Sequence, residues 1–421
     1  MLAPQPGRTV NQPRPLKILS KAALRAAWKT SRDATNKPGR PGTDNETAQQ
    51  FSTRLDANLD YVVRRLRDGQ YGFSRLRAVF IPKEDAEKER VICIPTVRDR
   101  LVQRAMIEYL TSRRIFPIDN ISSFGFMRGR GPQHAVARAL ELRTKYDWCL
   151  KTDIQSFFDR IPRSYLKTKV TRALGGNSLE FLVHKIIDCE VKTTSENRVK
   201  LQRQGIVAGR GIRQGMPLSP ILANLALSDF DRAVEHRRIG MVRYADDLAL
   251  FFRTKEEAQE GRHYIKLLLA TFELSIPEIE HGSKTKIVSR SDPLEFLGRE
   301  IVFLGSSGAF AARVGAKQVE KIKTRLKKDF SFAARSSKGG NLQDTIVDLS
   351  RSMAAYLGIY KDASNYPQFK VELRDVGRSI VAAIFQDLFG EESLCALSAQ
   401  EKKFLGIGMV DALEADPELD V

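Results

Sequence analysis

The spacing of apolar residues divides the 421-residue chain into three parts. From Leu16 to about Gln70, apolar positions recur at helical spacing on both sides of the turn-rich stretch "NKPGRPGTDN", and this pattern predicts helices. Two short apolar runs, "SRLRAVFIPK" and "RVICIP", then predict strands. The next segment, "TVRDRLVQRAMIEYLTSRR", predicts a helix that begins after Thr96, because a threonine side chain can accept a hydrogen bond from a free amide of the first turn.

Between Trp148 and Leu304 apolar strands alternate with helices. The clearest strands are predicted in "WCLKTDIQSFF" and "MVRYADDLALFF". The segment "GMPLSPILANLALSDFDRAVEH" between them predicts a helix, in which Pro217 and Pro220 fit only the first turn because proline breaks a helix interior. This mixture of strands and helices indicates the α+β class.

After "EFLGRE" the sequence predicts basic helices. In "GAKQVEKIKTRLKKDF", lysine and arginine surround one apolar stripe, which consists of Val319, Ile322, Leu326 and Phe330. A linker, "SSKGG", follows this helix. The next predicted helix has a buried side made of Ile346, Leu349, Met353 and Leu357.

The charge balance makes a polyanion the first candidate partner. Lys and Arg number 69 against 51 Asp and Glu, which gives a formal net charge of +18 and a pI near 9.8. A basic surface of this kind attracts nucleic acid, and the alternative is a basic face that is only solvated. The charge is uneven, because Asp387 to Val421 contains nine acidic and two basic residues. Residues 391–421 are therefore predicted to form an acidic C-terminal tail.

The cysteines and the amino terminus indicate a cytoplasmic protein. The four cysteines lie far apart and form no CxxC pair, so the sequence predicts neither a zinc ribbon nor a disulfide framework. The first residues, "MLAPQPGRTVNQPRP", lack the apolar core of a signal peptide, and no apolar run reaches membrane-spanning length. We expect a disordered leader over residues 1–15, a cytoplasmic location and no membrane partner.

The stretch "RYADDLALFF" raises a burial problem, because it places Asp246 and Asp247 inside an apolar run. A tight turn at Ala245–Asp247 would solve it by putting both carboxylates at the tip of a hairpin. Asp153, at the predicted end of another strand, supplies a third carboxylate. Three converging carboxylates would hold two Mg²⁺ ions roughly 3.5–4 Å apart, as phosphoryl transfer requires. The alternative is a chance hairpin with exposed acids.

Seven blocks in order carry a family resemblance: "IPKEDAEKERVICIPTVRDRLVQ", "SSFGFMRGRGPQHAVARAL", "KTDIQSFFDRIP", "RQGMPLSPILANL", "YADD", "SKTKIV" and "EFLGRE". Together they resemble the motifs of bacterial retroelement reverse transcriptases, most closely those of group II introns. The resemblance covers roughly residues 16–305, with a plausible continuation to about 390. It implies a right-hand polymerase fold with fingers at 16–145, a palm at 146–308 and a helical thumb at 309–390.

The resemblance also implies the roles of individual residues. Asp153, Asp246 and Asp247 match the catalytic triad that binds two Mg²⁺ ions, with the carbonyl of Ile154 as a further ligand. Lys284 matches a lysine that protonates the departing pyrophosphate, although a lone lysine is more often only surface charge.

Further matches concern the nucleotide and the primer. Lys83 and Arg90 match fingers residues that bind the incoming triphosphate, and as isolated residues they would belong to a solvated loop. Phe158 matches the aromatic gate that excludes a 2′-hydroxyl; its alternative role is ordinary core packing. Gln214 and Gly215 match the QG pair beside the sugar, before a helix that opens at Ser219–Pro220. The primer grip matches the run Phe296, Leu297 and Gly298.

Some positions depart from the group II pattern. Arg213 and Met216 flank the QG pair where group II enzymes commonly have Pro and Gly, and Val91 and Cys93 replace the usual Pro and Gly of another block. All five histidines precede residue 282, so a His-rich carboxy-terminal nuclease is expected to be absent. These departures point away from group II introns proper.

The motifs therefore predict an RNA-directed DNA polymerase. A chain of this size without the nuclease resembles the defence-associated reverse transcriptases of bacteria, and this resemblance implies that it makes cDNA from a dedicated structured noncoding RNA in antiviral defence. Expected partners are that template, a DNA or RNA primer, dNTPs, and other subunits or a second copy of the chain. Alternatives are a group II intron, retron or diversity-generating reverse transcriptase, or a template-independent DNA polymerase of the abortive-infection type. An RNA-copying polymerase is disfavoured by Phe158, a nucleotidyl cyclase by the lack of a GG[DE]EF hairpin, and a non-enzymatic splicing helper by the intact aspartates.

Overall fold

The computed structural model describes residues 17–35, 38–82, 89–305, 308–337 and 339–390, together with Ser398. The predicted leader and almost all of the predicted acidic tail lie outside these residues. The helices α1 to α15 span Lys21–Lys29, Ala48–Thr53, Leu55–Arg67, Val97–Ser112, Pro132–Lys145, Phe157–Arg160, Arg163–Leu174, Leu179–Ile187, Ser195–Arg203, Ser219–His236, Lys255–Ala270, Ala316–Asp329, Phe332–Ser336, Leu342–Tyr360 and Tyr366–Phe389. The strands β1 to β9 span Arg77–Pro82, Glu89–Ile94, Trp148–Asp153, Gly240–Tyr244, Asp247–Phe252, Lys286–Val288, Leu294–Phe296, Arg299–Leu304 and Ala309–Arg313.

The strands form three sheets. Strands β1 and β2 pair antiparallel, with Arg77 opposite Ile94 and Pro82 opposite Glu89. The second sheet has the strand order β4-β5-β3-β6. The third sheet, β7-β8-β9, is antiparallel throughout. Helices and antiparallel strands in this mixture confirm the predicted α+β class.

The chain divides into two compact units. The first contains the described residues up to Gly131, residues 151–250 and residues 259–286. The second contains residues 132–150, residues 251–258 and the described residues from Ile287 onward. Among the described residues, no helix has the length and apolar character needed to cross a membrane.

Helix α10 forms the centre of the first unit, because most of its circumference is buried. Pro220 lies in its first turn, as the sequence predicts. Its buried residues are mostly apolar but include the polar Asn224 and Asp231. Buried polar side chains need hydrogen-bond partners, so these two residues direct attention to what they contact.

Helix α4 confirms the predicted cap. The Thr96 hydroxyl oxygen accepts a hydrogen bond from the Asp99 amide at 3.1 Å, and the helix begins at Val97. Asp99 is itself buried and accepts hydrogen bonds from the Tyr71 hydroxyl at 2.7 Å and from the Ser74 amide at 2.8 Å. The start of α4 is therefore tied to the segment that precedes strand β1.

The core of the second unit lies among helices α12, α14 and α15. The whole apolar stripe predicted for α12 is buried there. On α14, Leu349 and Met353 are buried, whereas Ile346 and Leu357 are only half-buried. The exposed positions of α12 include the basic residues Lys317, Lys321, Arg325, Lys327 and Lys328.

Candidate active site

The hairpin of β4 and β5 carries two of the three predicted carboxylates. Ala245 has a φ of +60°, an uncommon conformation for a residue with a side chain, and it turns the chain between the strands. Asp246 follows in the turn and Asp247 is the first residue of β5. The turn predicted at Ala245–Asp247 is therefore confirmed.

Asp153, the last residue of β3, lies beside this hairpin because β3 is the neighbour of β5 in the sheet. The Ile154 amide donates a hydrogen bond to the Asp246 carbonyl oxygen at 2.9 Å. The structure thus brings the ends of β3 and of the hairpin turn together, and with them the three aspartates.

Burial and mutual repulsion act on these carboxyls in the same direction. Burial raises the pKa of Asp246, and the charge of Asp153 raises it further. Burial also raises the pKa of Asp247, with Lys151 opposing that effect. Both directions follow from the cost of placing charge in a poorly solvated site beside like charge.

Two lysines balance the aspartates. Lys151 forms an ion pair with Asp247. The Lys284 Nζ atom lies 3.0 Å from Asp153 Oδ2, and this hydrogen bond is the main reason that the pKa of Lys284 is raised. The hydroxyls of Thr152 and Thr285 lie 2.7 Å apart and hold the two neighbouring segments together. Lys284, which sequence reasoning weighed against an ordinary surface role, therefore lies at the carboxylates.

Sequence reasoning missed Lys151, although a signal for it exists. Residues two apart in a strand share a face, and Lys151 lies two residues before Asp153 in β3. A lysine on the same face as a predicted metal-binding aspartate is a candidate counter-charge.

The donor set fits a hard divalent cation. Among the described residues, no group of three or more His, Cys, Asp or Glu side chains is placed so that it could hold a metal ion. Asp153 Oδ1, however, is buried without a hydrogen-bond partner, while Oδ2 is bound by Lys284. A buried carboxylate oxygen without a partner needs a cation or a donor, and carboxylate oxygens are the ligands that Mg²⁺ prefers. Lys151 and Lys284 supply positive charge to the same aspartates.

The segment from Ser122 to Gly125 supports the turn. The Arg243 amide donates to the Ser122 carbonyl at 2.7 Å, and the Phe124 amide donates to the Arg243 carbonyl at 2.8 Å. Gly125 packs so closely that a Cβ atom added there would lie 2.4 Å from the Ala245 nitrogen. Only a glycine fits between this segment and the turn at Ala245.

Phe158 is half-buried, whereas its neighbour Phe157 is buried. The Phe158 ring meets Phe126 edge to face, with centroids 6.3 Å apart. Its accessible ring suits a gate better than a core position, and the gate role stays a prediction.

The QG pair is held by the backbone of β2. The Cys93 amide donates to the Gln214 carbonyl at 2.7 Å. Gly215 has a φ of +106°, and a Cβ added to it would lie 2.6 Å from the Cys93 carbonyl oxygen. Burial raises the pKa of the Cys93 thiol to about 12, so Cys93 is an inert core residue.

The departure at Arg213 has a structural account. Arg213 is 1% exposed and donates to Glu190 at 2.7 Å and to the Val207 carbonyl at 2.7 Å. Arg163 also donates to Glu190 at 2.7 Å. An ion-paired arginine therefore fixes the loop that leads into Gln214, and Met216 is buried beside it.

Of the two residues predicted to bind the triphosphate, the structure describes one. Arg90 is exposed near the start of β2, and its positive charge acts to lower the pKa of Asp246. Lys83 lies outside the described residues.

The predicted primer grip lies in the second unit. Phe296 is buried at the end of β7, and Leu297 and Gly298 form the two-residue turn into β8 with φ values of +51° and +75°. Two consecutive positive φ values are typical of a type I′ hairpin turn, which favours glycine. A Cβ added to Gly298 would lie 2.7 Å from the Tyr360 hydroxyl.

The class of protein follows from comparison with known families. A family model described as reverse transcriptase (RNA-dependent DNA polymerase) matches residues 81–301, more than half of the chain. The chain belongs to this family, whose members are RNA-directed DNA polymerases with the right-hand polymerase fold. The predicted fold and enzyme class are confirmed.

Individual relatives indicate which kind of reverse transcriptase the chain resembles. The chain is 27% identical over 303 residues to protein YkfC of Escherichia coli K12, which covers 62% of this chain and 76% of that protein. It is 27% identical over 198 residues to the group II intron-encoded protein LtrA of Lactococcus lactis, covering 46% of this chain but only 30% of LtrA. The predicted kinship with bacterial reverse transcriptases of the group II and retron-like type is confirmed.

Solved structures resemble the chain only distantly. Telomerase from Candida albicans, in complex with a fragment of telomeric RNA, has a TM-score of 0.42 and 12% identity, covering 84% of this chain and 69% of that one. A Cas6-RT-Cas1–Cas2 complex has a TM-score of 0.34 and 22% identity, covering 60% of this chain and 25% of that one.

The contact at Gly125 generates a prediction. Replacing Gly125 with Ala should displace the turn at Ala245, cost about 1–3 kcal/mol of stability as overpacking does, and lower dNTP incorporation on a primed RNA at least about tenfold. Thermal unfolding and primer extension measure the two effects. Gly72→Ala is the matched control, because a Cβ there has no atom within 4 Å. Equal behaviour of the two variants would show that Gly125 does not support the turn.

Proposed function

We propose that this reverse transcriptase forms DNA at the carboxylates of Asp153, Asp246 and Asp247. The observation that supports this most directly is the unpartnered, buried Oδ1 of Asp153 beside a hairpin that carries two more carboxyls of raised pKa. Two Mg²⁺ ions held there, with the Ile154 carbonyl as a further ligand, would activate the attacking hydroxyl and stabilise the leaving oxygen.

The residues around the carboxylates have separate tasks. Lys284 is protonated and exposed beside Asp153, so it can donate a proton to the departing pyrophosphate. Arg90 and Lys83 offset the charge of the triphosphate. Phe158 excludes the 2′-hydroxyl, Gln214 and Gly215 lie beside the sugar, and the turn of Phe296, Leu297 and Gly298 steadies the primer end.

In this proposal the fingers extend over residues 16–145, the palm over 146–308 and the thumb over 309–390. The exposed lysines and arginines of α12 would then contact the template–primer backbone, with an affinity that falls as salt rises.

For the biological role we propose that the chain copies one dedicated structured noncoding RNA in bacterial antiviral defence, in the cytoplasm. The departures from the group II pattern support a separate branch, and the ion pair of buried Arg213 with half-buried Glu190 indicates that one of them is built into the fold. A group II intron, retron or diversity-generating element, or template-independent synthesis, would be told apart by the RNA that the protein holds.

Removing the carboxylates tests the site. Asp246→Ala combined with Asp247→Ala should abolish Mg²⁺-dependent dNTP incorporation on a primed RNA and leave the fold intact, because the cation ligands are lost while the strands remain. Primer extension and circular dichroism measure the two properties. Asp188→Asn, at an exposed surface ion pair with Lys167, is the control and should keep full activity. Synthesis by the double variant at the wild-type rate would refute the site.

The gate generates a second prediction. Phe158→Ala should raise the ratio of rNTP to dNTP incorporation by about tenfold or more, because the ring no longer occupies the space of a 2′-hydroxyl. Primer extension with each nucleotide class measures the ratio. Phe181→Ala, which truncates a 52% exposed ring, should leave the ratio unchanged. An unchanged ratio in Phe158→Ala would assign that ring to packing.

A third prediction concerns the template. Sequencing of the RNA that co-purifies with the chain, and of the cDNA attached to it, should return one structured RNA species and its complement. The variant with both Asp246 and Asp247 replaced by Ala is the control, since it should hold the same RNA without cDNA. A random RNA population, or DNA without any matching RNA, would contradict the dedicated-template proposal.

A further inference from the structure

The ion pair of Arg243 and Asp231 lies directly behind the catalytic turn. Arg243 Nε lies 2.7 Å from Asp231 Oδ1, and Nη2 lies 2.5 Å from Oδ2, which makes the pair bidentate. The two side chains are 1% and 0% exposed. Burying both charges is expensive, and apolar replacements for such pairs often cost nothing in stability, so stability alone does not explain this pair.

The third guanidinium nitrogen, Nη1, faces the turn. It donates to the Ala245 carbonyl oxygen at 3.1 Å and to Asn224 Oδ1 at 3.0 Å. The Ala245 carbonyl belongs to the peptide that joins Ala245 to Asp246. A hydrogen bond to this oxygen therefore fixes the orientation of the peptide plane between Ala245 and Asp246. Ala245 itself has an uncommon positive φ.

The same hydrogen-bond network also includes Gly125, which packs against the turn. Asn224 Nδ2 donates to the Gly125 carbonyl oxygen at 2.8 Å, and Gly125 is the residue that packs against the Ala245 nitrogen. Asn120 Nδ2 donates to Asp231 Oδ2 at 2.9 Å. Both oxygens of Asp231 are thus occupied, and its position in α10 determines where Arg243 can lie.

We propose that Arg243 is a positioning residue for Asp246, which it holds through the Ala245 carbonyl, and that Asp231 orients Arg243 for this task. The proposal rests on the catalytic role proposed for the aspartates. Functional side chains must be held to within about 0.5 Å, and a displacement of about 1 Å can cost 10²-fold in rate. The buried charge pair supplies a rigid, planar donor at the point where the turn could otherwise rotate.

The structure offers a matched control pair. Arg100 and Asp33 form another buried bidentate pair, at 2.8 and 2.9 Å, and Arg100 also donates to the backbone carbonyls of Arg40 and Pro95. In the described contacts this pair touches none of the three aspartates. It shares burial, charge and backbone bonding with the pair of Arg243 and Asp231, but not the turn.

The test uses two double variants of the full chain. The first combines Arg243→Met and Asp231→Leu, and the control combines Arg100→Met and Asp33→Leu. Each double variant removes one buried charge pair and also takes an acceptor from one neighbour. Asp33→Leu removes the partner of Arg104, which lies 2.7 Å from Asp33 Oδ2, and Asp231→Leu removes the acceptor of Asn120. The first should lower kcat by about 10- to 100-fold with the KM for dNTP changed less than about threefold, and raise the Mg²⁺ concentration for half-maximal rate. The control should keep all three values within about threefold of the wild type.

Hydrogen exchange of the peptide that covers residues 244–250 gives a readout independent of activity. It should speed up at least about tenfold in the first double variant and stay unchanged in the control. Arg243→Lys, which keeps the charge against Asp231 but loses the fork, should show the same effects in milder form and is available if the double variant does not fold.

The outcomes separate the two proposals. A wild-type chain with no incorporation refutes the catalytic proposal, while the exchange comparison still decides whether Arg243 holds the turn. Equal exchange and equal kcat in the first double variant and the wild type would overturn the positioning role. So would an equal loss of kcat in both double variants, because that would show a general effect of stability.

Discussion

Two adjacent carboxyls in an apolar hairpin are poorly solvated, and this desolvation is the constraint on which the surrounding structure depends. Neighbouring residues of the first unit offset the charge of these carboxyls and fix their backbone. The raised pKa values of Asp246 and Asp247 are the electrostatic trace of this desolvation. Lys151 and Lys284 offset the charge of Asp247 and Asp153. Arg243 donates a hydrogen bond to the backbone of the turn, and Gly125 packs against the Ala245 nitrogen. Burial and mutual repulsion therefore destabilise the charged form of these carboxyls, and a bound divalent cation would stabilise it.

The buried polar residues of this unit are organised around backbone segments that are not themselves regular structure. Asn224 of α10 donates to the Gly125 carbonyl, and Asp231 accepts from Asn120 and Arg243. Arg243 in turn donates to the Ala245 carbonyl of the turn. Glu190 gathers Arg163 and Arg213 at the loop before the QG pair. Each cluster places charged groups beside a loop that carries a predicted functional residue. Their hydrogen bonds fix the orientation of the loop backbone, which apolar packing alone does not do.

Local patterns were enough to predict the elements and the central carboxylates. The Thr96 cap, the buried stripe of α12 and the turn at Ala245 follow from neighbours within a few residues, and Asp153 follows from its place at a strand end. The partners of the turn could not be predicted in this way. Arg243 and Asp231 are separated by a helix end and a loop, and Gly125 is more than a hundred residues from the turn in sequence, so only the tertiary fold reveals these contacts.

The link between β2 and the QG loop is made by main-chain atoms, the Cys93 amide and the Gln214 carbonyl, with Gly215 closing the gap. A hydrogen bond between main-chain atoms does not depend on the side chains of β2, provided that residue 215 remains glycine. Val91 and Cys93 could therefore differ from the pattern of related enzymes without moving the loop, whereas Arg213 holds the loop through Glu190. A change of side chain in β2 therefore leaves the position of the QG pair unaltered, because main-chain atoms make the contact.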